Sequence, residues 1–201
     1  MAEFIQKHKL FSFYSALMIV VVLIAIFAPW LAPGDAFSSN LSQALQAPSS
    51  QHWFGTDKLG RDVLSRIIYG TQLSLFMGVS IVVIMVSIGT IIGAVAGYFG
   101  GKIEMVLMRL ADIMLSFPGV VLAIAIAGIL GGSIVNTIIA LSVVGWAKYA
   151  RLVRSMTLKV RGEEYVTAAV MMGASTTTIL RRHIIPNILH LVVTTGALDI
   201  G

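Results

Sequence analysis

The side chains able to carry chemistry are sparse: nine carboxylates, four histidines, fourteen lysines and arginines, and no cysteine in 201 residues. His183 and His190 stand seven apart and can share one helical face, but two nitrogens without a thiolate or nearby carboxylate make a weak metal site. Gly97 to Lys102 has the outline of a phosphate-binding loop and fails in detail. Ala96 stands where the first glycine is needed, and Ile103 replaces the hydroxyl that would hold magnesium. No catalytic residue and no metal ligand emerge, and the lack of cysteine excludes disulfides and thiolate centres.

The functional signal lies instead between Lys148 and Arg182, which hold seven of the fourteen basic residues and two of the nine acids. Residues 163–180 have helical tendency, with Glu163 and Glu164 at the start and Arg181 and Arg182 near the end, matching the helix dipole. Tyr165, Ala168, Ala169, Met172 and Ile179 form a short apolar stripe that Gly173 interrupts. Such a helix can lie on a membrane surface, or its small residues can seat in a groove on a protein. The residues alone leave both open.

This polar block belongs to a chain that is 57% hydrophobic and 11% charged, against about 25% charged in soluble domains. Residues 10–34, 67–101 and 113–147 carry no formal charge, and about 20 apolar residues suffice to cross a bilayer. The fold class is all-α, a polytopic helical membrane protein. Five spans are expected at 10–31, 73–96, 105–130, 135–150 and 186–201, with a polar connector over 33–70 and a polar loop over 151–185. The apolar region after Lys7 and Lys9 is too long for a signal peptide and reads as an uncleaved first span. Both basic regions then fall on the cytoplasmic side, with the N-terminus and the 151–185 loop inside and the connector outside. The net charge of +5 is local to residues 148–182 and indicates topology, not nucleic-acid binding.

Local signals add detail. Thr56 or Asp57 could cap a short helix, with Asp62 and Arg66 paired four apart on it. Gly89, Gly93 and Gly97 form a stripe along which another helix can approach. Pro118 predicts a kink, Arg109 and Asp112 are placed to pair at the interface or else to line a pathway, and Asp199 is either a costly intramembrane carboxylate that faces a partner or a cavity or the mark of a span boundary.

The loop resembles the cytoplasmic Glu-Ala-Ala loop of binding-protein-dependent ABC importer permeases. Thr167-Ala168-Ala169 precede Gly173 by the right interval and Pro186 falls at the right distance, with Thr167 for the acid, His183 for Ile and Ile185 for Leu. Glu163-Glu164-Tyr165 and His183-Ile184-Ile185-Pro186-Asn187 look like the peptide/nickel branch. His52-Trp53-Phe54-Gly55-Thr56-Asp57, continuing to Gly60-Arg61-Asp62 and Ser65-Arg66, resembles a second signature of that branch.

The resemblance implies a six-span type I importer transmembrane domain over residues 1–201, of which the chain lacks the end. It is expected in the bacterial inner membrane, among lipid, with a second homologous permease, two cytoplasmic ATPase subunits and an extracytoplasmic solute-binding protein. ATP and magnesium would sit on the ATPases, with no cofactor and no enzyme activity on this chain. The residues implied to couple to an ATPase are Glu163, Glu164, Tyr165, Thr167, Ala168, Ala169, Gly173, Ala174, Ser175 and Pro186. Residues 145–155 and 197–201 look closer to nickel-type permeases, so nickel or a nickel chelate is the expected cargo, with dipeptides or oligopeptides as the alternative. A self-contained secondary transporter would need midplane charges and paired broken helices, and a membrane-anchored scaffold a soluble domain that the polar segments are too small to form.

Overall fold

The computed structural model describes residues 9–200; Lys7, with its topology signal, and Gly201 lie outside the described residues. The chain divides into two compact units, one up to Phe76 and one from Met77. The helices are α1 (Lys9–Ile26), α2 (Ala28–Leu31), α3 (Val63–Phe99), α4 (Gly101–Ser116), α5 (Gly119–Leu130), α6 (Ile134–Arg161), α7 (Glu164–Met171), α8 (Thr176–Ile179) and α9 (Ile185–Ile200).

In the first unit, α1 leaves apolar side chains exposed all round, from Leu10, Phe11 and Phe13 to Leu23 and Ile26, as a helix facing lipid would. The connector that follows is ordered by polar side chains. The Thr56 hydroxyl donates to the Gln43 carbonyl and accepts from Gln46 N–H at 2.8 Å. Asp57 Oδ1 accepts from the N–H groups of Leu59 (2.8 Å) and Arg61 (3.0 Å), and its Oδ2 from Arg61 Nε (2.9 Å) and Arg66 Nη1 (2.5 Å). Gly60 has φ +73°, and a Cβ there would strike the Asn40 carbonyl.

No helix starts at Thr56 or Asp57. Thr56 pairs across an antiparallel bridge with Asp62, and α3 begins at Val63. Asp62 is the cap: its Oδ2 accepts from Ser65 N–H at 2.8 Å, and its Oδ1 lies 3.0 Å from His52 Nδ1. The expected Asp62–Arg66 pair is absent, because a buried carboxylate on a free helical N–H contributes about 1 kcal/mol and an exposed i,i+4 pair about 0.3–0.5 kcal/mol. Arg66 turns to Asp57 instead.

In the second unit α6 is the central element. Ser133 caps it, accepting from Asn136 N–H at 3.1 Å. It buries Ala140, Ala147, Tyr149, Ala150, Val153 and Thr157 almost completely. The stripe Gly89–Gly93–Gly97 of α3 lies against this face. A methyl added at Gly93 would come 2.7 Å from Val153 Cβ, and one at Gly97 2.7 Å from Thr157 Cβ. The glycines admit a backbone approach that any side chain would block.

Gly100 (φ +68°) and Gly101 (φ +55°) make the tight turn into α4. At Phe117–Pro118 the expected kink is a full break, with α4 and α5 at 90°. Pro118 has no N–H to continue the ladder, and it drives Phe117 to extended backbone, ψ 148°.

Three stretches among the described residues are long and apolar enough to cross a membrane: α1, α3 and Thr176–Ile200. The bent pair α4–α5 is a fourth if it forms one span. The fourth expected span, 135–150, is only the first half of α6, whose second half carries Lys148, Arg151, Arg154, Lys159 and Arg161.

Two outcomes follow. Gly93→Val overpacks the α3–α6 contact and should cost about 1–3 kcal/mol, read as a lower melting temperature in detergent. Gly128→Ala, where a Cβ meets nothing within 4 Å, should not lower it, and equal losses would refute the packing role. In the connector, burial alone would raise the Asp62 carboxyl, but Ser65 and His52 hydrogen bonds outweigh it and hold the group below its ordinary 3.8. A depressed carboxylate contributes stability above its unfolded value and loses it as pH falls through the folded one. Intrinsic-rate-corrected amide protection over residues 40–62 should hold from neutral pH to about pH 5 and fall below about pH 4, less steeply in Asp62→Asn. A flat profile would count against this cap.

Candidate functional site

The candidate loop is built on the end of α6. After Arg161 the chain turns at Gly162, whose N–H donates to the Lys159 carbonyl at 3.1 Å. Glu163 takes extended backbone as the N-cap of α7, and Glu164 sits in its first turn, where a negative charge favours the helix. The helix stops where the sequence interrupts its stripe. Gly173 N–H donates to Val170 O (2.9 Å) and Ala174 N–H to Ala169 O (3.0 Å). With Gly173 at φ +83°, this is a Schellman end, which requires the left-handed conformation that glycine adopts freely. The expected single helix over 163–180 is therefore two, and Ser175 caps the second, accepting from Thr178 N–H at 3.3 Å.

A π-type turn over Leu180–Ile184 joins α8 to α9. It lies one turn before Pro186, whose ring would crowd the Arg182 carbonyl in a regular helix. The helical path is therefore continuous from Thr176 to Ile200, and Pro186 lies inside it.

Two side chains of α7, Val166 (1% exposed) and Ala169 (5%), pack inward. Val166 joins a buried cluster with Val153 and Val160 of α6, Ile179 of α8, Ile184, and Ile188 of α9. Of the ten residues singled out in the sequence, Glu163, Glu164, Tyr165, Thr167, Ala168, Gly173, Ser175 and Pro186 are exposed, Ala174 is half-buried and Ala169 is buried. The small-residue stripe is thus divided between two faces. Sequence reasoning missed Met171 as a surface residue: Met171 and Met172 are 83% and 82% exposed at the tip of the loop. Their place beside a helix-ending glycine was the available signal.

The basic residues of α6 are also placed differently from expectation. Arg154 Nε donates to Glu104 Oε1 at 2.6 Å, Arg151 Nη2 to Asp112 Oδ1 at 2.6 Å, and Lys148 Nζ to both oxygens of Asp199 at 2.7 and 2.8 Å. The Tyr149 hydroxyl donates to Asp199 at 2.7 Å. Asp112 pairs with Arg151 instead of Arg109, because a base three residues before an acid on the same helix is the poorer order. The spacing of Lys148, Arg151 and Arg154, three apart on one face, was the readable sign. Asp199 faces both partners and, as expected, a cavity. Among the described residues no group of three or more His, Asp or Glu side chains could hold a metal ion.

Residues 89–201, more than half of the chain, match the family described as "Binding-protein-dependent transport system inner membrane component". The chain belongs to this family. Residues 5–48 match the N-terminal transmembrane domain of oligopeptide transport permease C. The dipeptide transport system permease protein DppC of Alkalihalophilus pseudofirmus is 42% identical over 197 residues, covering 98% of this chain and 65% of that protein. The oligopeptide transport system permease protein OppC of Bacillus subtilis is 36% identical over 195 residues (97% and 64%). The glutathione transport system permease protein GsiD of Escherichia coli O157:H7 is 43% identical over 188 residues (92% and 61%). The chain thus spans just under two thirds of the length of these relatives. These relatives are named for dipeptide, oligopeptide and glutathione transport, in keeping with the expected resemblance to the peptide branch of ABC importer permeases, and the expected leaning toward nickel-type permeases finds no support in their names.

The loop geometry yields a specific expectation. A Cβ at Gly173 meets nothing within 4 Å, so substitution there acts through backbone strain alone. Gly173→Ala should destabilise the α7 end by about 1–2 kcal/mol, read as faster amide exchange at Gly173 and Ala174. Gly173→Asn, better tolerated in the left-handed region, should lose less. Equal behaviour of the two variants would show that the conformation is not held.

Proposed function

We propose that this chain is the membrane-spanning permease subunit of an ATP-driven importer of short peptides in the bacterial inner membrane. Dipeptides or oligopeptides replace nickel as the cargo, since the relatives above are named for dipeptide, oligopeptide and glutathione transport. A second homologous permease, two cytoplasmic ATPases carrying ATP and magnesium, and an extracytoplasmic solute-binding protein complete the assembly. The N-terminus and the 151–185 loop lie in the cytoplasm, in keeping with the excess of basic over acidic residues in that loop.

The observation that carries the reading is the construction of α7. It presents Tyr165, Ala168, Met171 and Met172 outward, while Val166 on its other side is buried with α6, α8 and α9 residues. A partner that grips the outer face moves a body already packed to the bundle. Thioethers suit such a contact, because they adapt to an irregular groove. When the ATPases close on ATP, rigid-body displacement of α7 passes to α6 and α9, which flank the loop, and changes which side of the pathway is open. Glu163, Glu164, Thr167, Gly173 and Ser175 border this contact. Ala169 and Ala174 hold α7 to the bundle, and Pro186 shapes the turn into α9.

The absence of cysteine makes a direct test simple. In the assembled importer bearing Ser175→Cys, a membrane-impermeant maleimide should label inverted vesicles stripped of ATPase and fail to label right-side-out vesicles. Adding the ATPase back should slow labelling by about tenfold or more. Gly173→Arg should abolish both this protection and ATP-dependent dipeptide uptake. Labelling from the outside, or labelling that ignores the ATPase, would overturn the reading.

A further inference from the structure

Asp199 borders a cavity of about 410 Å³ whose walls include Ile81 and Val82 of α3, Val120 of α5, and Leu141 and Val144 of α6. That volume falls within the range of small-molecule sites, about 300–1,000 Å³. Among the described residues lining it, Asp199 is the one that carries a charge. A carboxylate offers about four acceptor positions. Three are taken, two by Lys148 Nζ and one by the Tyr149 hydroxyl, which leaves one.

The two partners differ in mobility. Tyr149 is fully buried and stands beside Gly89 of α3 and Gly196 of α9, so its hydroxyl is fixed. The Lys148 side chain is 55% exposed, against 26% for Asp199. Its long stem can withdraw toward a more polar region while Asp199 stays in place. Removing a partner from a charge in a low-dielectric site is costly, so Lys148 can leave only when another cation takes its position.

We infer that Asp199 is a binding carboxylate for the α-ammonium group of a short peptide, which displaces Lys148 and lays an aliphatic side chain against Ile81, Val82, Leu141 and Val144. A bare metal ion does not fit, because among the described residues Asp199 belongs to no group of three or more His, Asp or Glu side chains that could hold one. The exchange replaces one ammonium by another, so Asp199 is paired before and after binding. The site rests on the peptide-importer reading and deepens it, by giving the membrane domain its own recognition of the peptide amino terminus.

The test uses the assembled importer in nanodiscs without the solute-binding protein, with radiolabelled alanyl-alanine and N-acetyl-alanyl-alanine in equilibrium dialysis. Saturable binding of alanyl-alanine is expected, weakened about tenfold or more by N-acetylation or by Asp199→Asn and restored by Asp199→Glu. Lys148→Met, which removes the competing cation, should preserve or tighten it. Val120→Trp, which narrows the cavity without touching the ion pair, should weaken it. If Lys148→Met abolishes binding as Asp199→Asn does, or if the acetylated peptide binds equally, the pair is only a strut between α6 and α9 and the inference fails. Cellular uptake of alanyl-alanine without binding to the membrane domain would also sink this site while leaving the importer reading intact. Loss of wild-type uptake as well would remove the reading beneath it.

Discussion

The second unit depends on the close approach of α3 and α6. Three glycines at four-residue intervals bring the backbone of one helix onto Tyr149, Val153 and Thr157 of the other. In a bilayer the gain comes from packing and not from expelling water, since lipid tails are as apolar as the side chains. Without that contact, α6 would lose the support that lets it carry charged residues. With it, α6 becomes a fixed post to which α4, through Arg151 and Arg154, and α9, through Lys148, are tied by ion pairs.

Those ties change the meaning of the basic segment. Its positive charge reads as a topology signal, yet Lys148, Arg151 and Arg154 each meet an acid from another helix. Arg161 lies over the Tyr98 ring. The loop's outward positive character therefore rests on fewer residues than the sequence suggests, with Arg181 and Arg182 exposed beside Thr177 and Thr178. The same stretch orients the chain, fastens the bundle and carries α7.

Much of this architecture was legible. Uncharged runs mark the apolar helices, the glycine spacing marks the close contact, and Pro118 marks a break, because each is a local steric or solvation constraint. Partner choice was not legible. Glu104 meets Arg154 and Asp199 meets Lys148 across about fifty residues of chain, and no local pattern specifies such pairs. The connector shows the same limit: Thr56 or Asp57 was the expected cap and Asp62 the expected partner of Arg66, and only the fold of residues 40–56 around them makes Asp62 the cap. Within the candidate loop, motif spacing located α7 but not its orientation. The buried positions are Val166 and Ala169, three apart, whereas the sequence stripe ran through Tyr165, Ala168, Ala169 and Met172, holding Ala169 but not Val166. The end at Gly173 was visible as an interruption; its left-handed backbone, which makes glycine necessary, was not.

The corner at Phe117–Pro118 sets a requirement on its surroundings. A helix that ends leaves carbonyls without intrahelical partners, and here the Ser116 hydroxyl donates to one of them, that of Ile113, at 2.7 Å. Hydrocarbon offers no donor for the others, and irregular backbone at membrane depth is tolerated only beside protein or water. Wherever such a bend lies at membrane depth it cannot face lipid: protein or water must lie against it, so the corner turns a single proline into a condition on its surroundings.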